Sequence, residues 1–268
     1  MSGAQREFSS VRPEVYDALI DWPKRLANET PFYRQLIDEI GARRTLDAAC
    51  GTGHHAALLH SWGLEVEGAD SSPAMIAFCR AHRGEPAGLR WVERSFLAAP
   101  GADEASFDLV ICVGNSLALA TDAASQGDAA AERADRLNAV GRAVAAMLAR
   151  LRPGGALVLQ VLNLWRLAEG PTLWQKSLRV TIDGREHLVF KGVHRAGGFG
   201  YVDLIDAIPD DEPLRANVES ARFVGLTAEE VEAMCRAGGA STVAFFGGYD
   251  RVAYDPQRST DLIVVARR

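Results

Sequence analysis

Between residues 44 and 163, short apolar runs alternate with segments of helical periodicity, and this alternation narrows the available folds more than any other feature of the chain. "RRTLDAA" has strand character, and "HHAALLHSWG" has helix character closing at Gly63. "LEVEGAD" is strand-like. "SPAMIAFCRAH" is a helix with Ser72 as N-cap and Pro73 at its first position, where a missing N–H leaves no helical bond unmade. "LRWVER", "FDLVICVG" and "ALVLQVL" are further strands, the last two apolar throughout, as strands covered on both faces are. The long amphipathic "AERADRLNAVGRAVAAMLARL" lies between those two and ends at "RPGG". Such alternation predicts a parallel sheet with right-handed crossovers, whose ligands sit beyond the carboxyl ends of the strands near the switch point.

The flanks follow other rhythms. Residues 13–41 carry helical spacing, with Pro23 and Pro31 expected to break the run and Gly41 to close it. After residue 163, period-2 patches separated by Asp183-Gly184 and Gly197-Gly198 predict hairpins and a small inserted antiparallel sheet. "LTAEEVEAMCRAGG" restores a helix, with Thr227 and Glu230 placed for a capping box. "STVAFFGGY" and "TDLIVVARR" then predict two closing strands. The Ala/Asp/Gln stretch 121–130 is expected to be a solvated loop.

Composition excludes several classes. The net charge is −6 with no Lys/Arg cluster, so the chain lacks the electrostatic footprint of a nucleic-acid binder or of a protein drawn to anionic membranes. Its longest apolar runs are too short to span a bilayer, and "MSGAQREFSS" has no secretory apolar stretch. The four scattered cysteines form no C-x-x-C pair and suit small buried thiols in a reducing compartment, so a cytoplasmic location is expected. His54 and His55 have no ligand-spaced companions, and no metal is expected.

The chemistry concentrates at "LDAACGTGHHAALL". Gly51-x-Gly53-x-x-Ala56 satisfies a relaxed dinucleotide fingerprint, with Asp70 near where a ribose-binding acid belongs. Asp47, however, sits at the strand end four residues before Gly51, awkward beside a pyrophosphate and useful near a cationic group. Gly51 and Gly53 allow the backbone to approach a cofactor closely, or simply form a tight turn. Asp70 can accept both hydroxyls of a ribose diol, or serve the helix N-terminus with Ser71 and Ser72.

"LDAACGTGHHAALL", "LEVEGADSSPAMI", "SFDLVICVGNSLA" and "LRPGGALVLQVLN" together resemble the class I S-adenosylmethionine (SAM) methyltransferases over residues 44–163, and again over 227–268. "YDALIDWPKRL", "GNSLA" and "VLN" resemble the glycine/sarcosine N-methyltransferase-like branch of small-molecule enzymes. The resemblance implies a seven-stranded Rossmann-like α/β fold, with a helical cap over 1–43 and a SAM-binding core over 44–163. It further implies an antiparallel β insert serving as substrate lid over 164–225, and the C-terminal part of the core over 226–268. It implies SAM as cofactor, S-adenosylhomocysteine (SAH) as product and a small-molecule acceptor, with self-association left open.

It also assigns residues. Arg25 corresponds to an arginine gripping the SAM carboxylate, with Tyr16 and Trp22 on the same segment as pocket wall or core. Asp47 attracts the cofactor's amino group or holds the turn, and the Ala49 carbonyl faces that same group. Met75, Ser95 and Phe96 surround adenine, and Val113 lends backbone contact below the sulfonium. Asn115 stands where the methyl emerges, able to orient a nucleophile or present its carbonyl oxygen to an amine, and is the candidate catalytic residue. Ser116, Asn163, Arg166, Tyr201 and Tyr249 are candidates for the acceptor side. Leu162 stands where glycine N-methyltransferases carry an arginine for the substrate carboxylate, so glycine specificity is not implied, and Arg166 is the candidate substitute. No His or Glu is placed as a base for a hydroxyl, which favours an amine over an O-methylation substrate. A NAD-binding oxidoreductase and a non-catalytic SAM binder are the remaining alternatives.

Overall fold

The computed structural model describes residues 12–101, 107–121, 128–209 and 215–268. The loop expected at 121–130 therefore falls, over 122–127, outside the described residues, as does most of the amino-terminal stretch expected to lack a secretory signal. The core sheet has seven strands: β1 (Arg44–Asp47), β2 (Glu65–Asp70), β3 (Leu89–Glu93), β4 (Phe107–Cys112), β5 (Leu151–Leu162), β10 (Thr242–Phe246) and β11 (Asp261–Arg267). Their spatial order is β10-β11-β5-β4-β1-β2-β3. β1 to β5 run parallel, while β11 is antiparallel to both its neighbours. The chain winds outward from β1 to β3, then crosses back to β4. The switch point is thus the crevice between β1 and β4, whose carboxyl ends carry Asp47 and Val113-Gly114-Asn115.

Every residue of β4 is buried, because helices cover both faces of the sheet. On one face lie α2 (Trp22–Ile40), α3 (His54–Ser61) and α4 (Pro73–Arg83), through Phe32, Leu36, Ala56, Leu59, Ile76 and Cys79. On the other lie α5 (Ala129–Ala149) and α6 (Ala228–Ala237), through Val140, Val144, Met147, Val231 and Cys235. α5 is capped by Asp128, and α6 by the Thr227/Glu230 capping box, a device worth about 1 kcal/mol. All four cysteines are free and buried.

Contrary to the break expected from its sequence position, Pro31 lies inside α2, which continues through it. A mid-helix proline costs about 3 kcal/mol. Phe32 and Leu36, each 1% exposed, directly follow it, and burial of each such side chain contributes about 1.5–3 kcal/mol. Packing therefore outweighs the local penalty. Pro23, by contrast, sits in the first turn of α2, where it is tolerated.

The insert is a four-stranded antiparallel sheet of β6 (Leu173–Ile182), β7 (Arg185–Ala196), β8 (Phe199–Ile208) and β9 (Arg215–Val224). Asp183 and Gly184 both have left-handed φ, 52° and 76°, as a two-residue hairpin turn requires. The short helix α1 (Pro13–Ala18) is the bridge between insert and core: Val15 and Leu19 pack on Ile182, Val189 and Leu204 of the insert.

Candidate active site

The site lies at the switch point, beneath α1 and the start of α2. Gly51 follows β1 with φ 51°, and a β-carbon there would lie 3.5 Å from Tyr16 Cε1. A β-carbon on Gly114 would lie 3.9 Å from the Tyr16 hydroxyl. The Tyr16 ring thus spans from the glycine turn to the end of β4. Burial pushes its phenol pKa up.

Asp47 is 1% exposed, and neither of its carboxylate oxygens has a side-chain partner, while the Ala49 backbone N–H lies close enough to favour its charged form. Burial pushes its pKa up to about 6, against the opposing pull of the His55 charge. Asp70 differs: its Oδ2 accepts from the Gly51 N–H and its Oδ1 from the Ser72 N–H, both at 2.9 Å. Each oxygen keeps a further lone pair, so holding the turn and accepting a diol are compatible roles. Ser71 beside it is exposed, and Met75 is buried in the first turn of α4.

Arg25 donates through Nε to Glu29 Oε1 at 2.8 Å, while Glu29 Oε2 lies 2.7 Å from His55 Nε2. Burial disfavours the Glu29 carboxylate, yet His55 and Arg25 outweigh it and hold the carboxyl below its ordinary range. The other guanidinium N–H groups of Arg25 have no acceptor among the described residues. Its charge reaches Tyr16, Asp47, Tyr249, Lys191 and Asp261, which places it near the middle of the site.

At the end of β4, Asn115 has φ 67°, and its Oδ1 accepts from the Leu162 N–H at 2.9 Å. That backbone donor settles the amide orientation, so Asn115 offers N–H, not carbonyl, to its surroundings. The Gly114 N–H donates to Gln160 Oε1 at 2.6 Å, and Gln160 Nε2 donates to Asp261 Oδ1 at 2.8 Å. This chain ties the ends of β4, β5 and β11 together. Val113 is buried, Ala49 half-buried, and the Ser116 hydroxyl donates to the Val113 carbonyl.

Several expected residues face elsewhere. The missing β-carbon of Gly53 (φ 81°) lies not toward a ligand but 2.7 Å from the Trp91 ring and 2.9 Å from Cys79 Sγ. Gly53→Ala is therefore expected to cost at least about 2 kcal/mol of stability through overpacking and left-handed strain. Gly51→Ala is expected to cost about 1 kcal/mol and to weaken SAH binding instead. Thermal unfolding and calorimetric titration of both variants check the pair.

Asn163 is 1% exposed and donates both amide hydrogens to loop carbonyls, Pro256 at 2.9 Å and Ser259 at 2.8 Å. It fastens the β10–β11 loop and does not face the acceptor side. Tyr201 lies on the face of the insert opposite α1, stacked on His194 at 4.6 Å. Trp22 stacks on His54 at 4.0 Å, and His54 also lies 2.8 Å from Asp17 of α1. Ser95 and Phe96 line a small cavity with Ala69, Met147 and Arg150 on the α5 side of the sheet. Arg166 is exposed on the turn after β5, where its charge reaches Asp261. Tyr249 packs on Phe32 and Tyr33, its hydroxyl buried beside that of Tyr33.

Sequence reasoning missed Glu29, His55, Gln160 and Asp261. The one local signal was the i, i+4 spacing of Arg25 and Glu29. His54 and His55 prove to be clamps that hold α1 and α2 onto the start of α3.

Residues 45–141 match a family model described as "Methyltransferase domain". The chain is 35% identical to the glycine/sarcosine N-methyltransferase of Parasynechococcus marenigrum over 62% of its own length and 54% of that protein. It is 35% identical to the rat glycine N-methyltransferase over 53% of its length and 48% of that protein. The chain thus spans about half the length of the curated relatives it matches. Among solved structures, the sugar N-methyltransferase KedS8 from Streptoalloteichus superposes with TM-score 0.73 at 25% identity, covering 100% of this chain and 98% of that one. The SAM-bound amino pentose methyltransferase CalS10 from Micromonospora echinaspora gives 0.69 at 25% identity, covering 95% and 97%. The chain has the Rossmann-like fold of the class I SAM methyltransferases. The curated relatives it resembles in sequence are glycine/sarcosine and glycine N-methyltransferases.

Proposed function

We propose that this chain transfers a methyl group from SAM to the nitrogen of a small-molecule amine. The observation that carries the reading is Asp47, a carboxylate 1% exposed at the end of β1 with no side-chain hydrogen-bond partner. Burying such a charge is costly without a counter-ion, and a site awaiting an ammonium group accounts for it. The neighbouring residues match the rest of the cofactor. Arg25 has free N–H groups for a carboxylate, Asp70 has lone pairs for a ribose diol, and Gly51 leaves the turn open to close approach.

When bound, the cofactor supplies an electrophilic methyl on sulfur. The protein's task is then alignment and exclusion of water. Tyr16 roofs the crevice between Gly51 and Gly114. Its raised pKa keeps the phenol protonated near neutral pH, so it donates a hydrogen bond and takes no proton. Asn115, its carbonyl engaged by Leu162, also acts as a donor and positions the strand ends. An amine that sheds its proton before entering suits such a site; a hydroxyl acceptor would need a base. The inserted sheet, joined to the cap by α1, is the lid that selects the acceptor.

We place the enzyme in the cytoplasm, a reading supported by four free, buried thiols. Among the described residues, no helix is long and apolar enough to cross a membrane.

The test supplies labelled SAM with glycine, sarcosine, dimethylglycine and amino sugars in separate reactions, with products weighed by mass spectrometry. Gain of one methyl mass on the nitrogen of any of them supports the proposal. Tight SAH binding with no transfer to any amine refutes it, and binding of NAD in place of SAH removes the cofactor reading as well.

A further inference from the structure

We infer that Lys191, on the inserted sheet, is the contact that receives an anionic group of the acceptor. This inference rests on the proposed methyltransferase reading and adds the residue that sets acceptor choice.

Lys191 lies on β7, on the same face as Val189 and Val193. Val189 packs against α1 through Val15 and Leu19, while Val193 joins the main core. Lys191 falls between these two anchored positions and so overlooks the crevice between α1, the lid and the strand ends. Burial, with the charges of Arg25 and Lys176, pushes its pKa down.

Lys191 also has no counter-ion among the described residues. Leu204 stands opposite it on β8 and Lys176 opposite it on β6, so one neighbour is apolar and the other adds like charge. Glu219 shares that row but lies two strands away, beyond Leu204, roughly 10 Å at ordinary strand spacing. On the same face, His187 and Asp206 are occupied with each other at 2.7 Å. Arg25 is itself matched by Glu29. A half-buried ammonium that shares its space with like charge and has no carboxylate partner is better matched when a ligand supplies the anion. The anion it would hold is a carboxylate or a phosphate attached to the amine.

The test titrates the SAH-saturated full chain, carrying isotope-labelled lysine, with acetate and with inorganic phosphate. The Lys191 side-chain resonance is identified by its loss in Lys191→Met. One of the two anions is expected to shift it saturably; acetate would indicate an amino-acid-like acceptor and phosphate a phosphorylated one. Affinity for that anion should fall roughly tenfold in Lys191→Met and remain within about threefold in Lys191→Arg, which keeps the charge. SAH affinity should not change in either; Lys191→Gln replaces the methionine variant if that fails to fold. The inference is overturned if neither anion moves the resonance, or if Lys191→Met weakens SAH roughly tenfold, which would make Lys191 a cofactor contact. Absence of methyl transfer to every amine, with Lys191 still responding to an anion, would defeat the proposed function alone.

Discussion

Asp47→Asn should weaken SAH binding roughly ten- to a hundredfold while making the ligand-free protein more stable. A hydrogen bond to a charged group is worth about 1.5–3 kcal/mol, which gives that range of affinity. The stability gain comes from the same carboxylate. Burial raises its pKa from 3.8 to about 6. At pH 7.5 a shift of that size corresponds to about 3 kcal/mol of destabilisation. Asparagine removes the charge but leaves a buried amide to satisfy, so the net gain should be about 1–2 kcal/mol, a melting temperature higher by roughly 2–6 °C.

The sign with pH follows from the raised value. Between pH 3.8 and about 6 the folded state holds the proton more firmly than the unfolded chain. The wild-type apo protein should therefore lose stability as pH rises through that window, and the variant should lack this slope. SAH affinity should run the opposite way, strengthening as the carboxylate ionises. Calorimetric SAH titrations and thermal melts of both proteins across this range decide the matter. A less stable variant with unchanged SAH affinity would show instead that Asp47 holds the turn.

Glu29→Ala should be the most destabilising single change in the cap. Glu29 is 2% exposed and receives Arg25 at 2.8 Å and His55 at 2.7 Å. Removing the acid leaves the Arg25 guanidinium without its anion and the His55 ring without its hydrogen-bond partner, a loss of about 3–5 kcal/mol for a buried pair and a drop in melting temperature of roughly 10 °C. Glu29→Gln, which keeps hydrogen-bonding atoms, should recover part of that. Because α2 carries Arg25, SAH affinity should fall in the alanine variant as well. The Glu29 carboxyl is held below the ordinary glutamate value of 4.5 in the folded protein, so its contribution is present above that pH and fades as pH falls further. A melting temperature within about 2 °C of wild type would show that the Arg25–Glu29–His55 chain does not secure the cap.

Both predictions concern residues whose surroundings come from distant parts of the chain, and this separates what was legible from what was not. The alternation of β1 through β5 with helices was legible because strand and helix periodicities are local, set by the pleat and by 3.6 residues per turn. The caps at Ser72 and Thr227 and the Asp183-Gly184 hairpin were legible for the same reason: each is decided within four residues. Pro31 misled because a local penalty was offset by burial of Phe32 and Leu36 against core strands that lie far along the chain.

At the site, sequence by itself determined that a glycine turn with Asp47 and Asp70 lies at the end of the first strands. Residue type and spacing suffice to specify such a turn. It did not determine which glycine faces the ligand. Gly53 points into Trp91, a residue 38 positions away, while Gly51 faces Tyr16 of the cap. Nor did it determine that Asn163 is spent on the β10–β11 loop, or that Tyr201 lies on the face of the inserted sheet opposite α1. A side chain's role at a strand end depends on which way its strand presents it and on what the rest of the chain brings opposite. Only the packed tertiary structure fixes both.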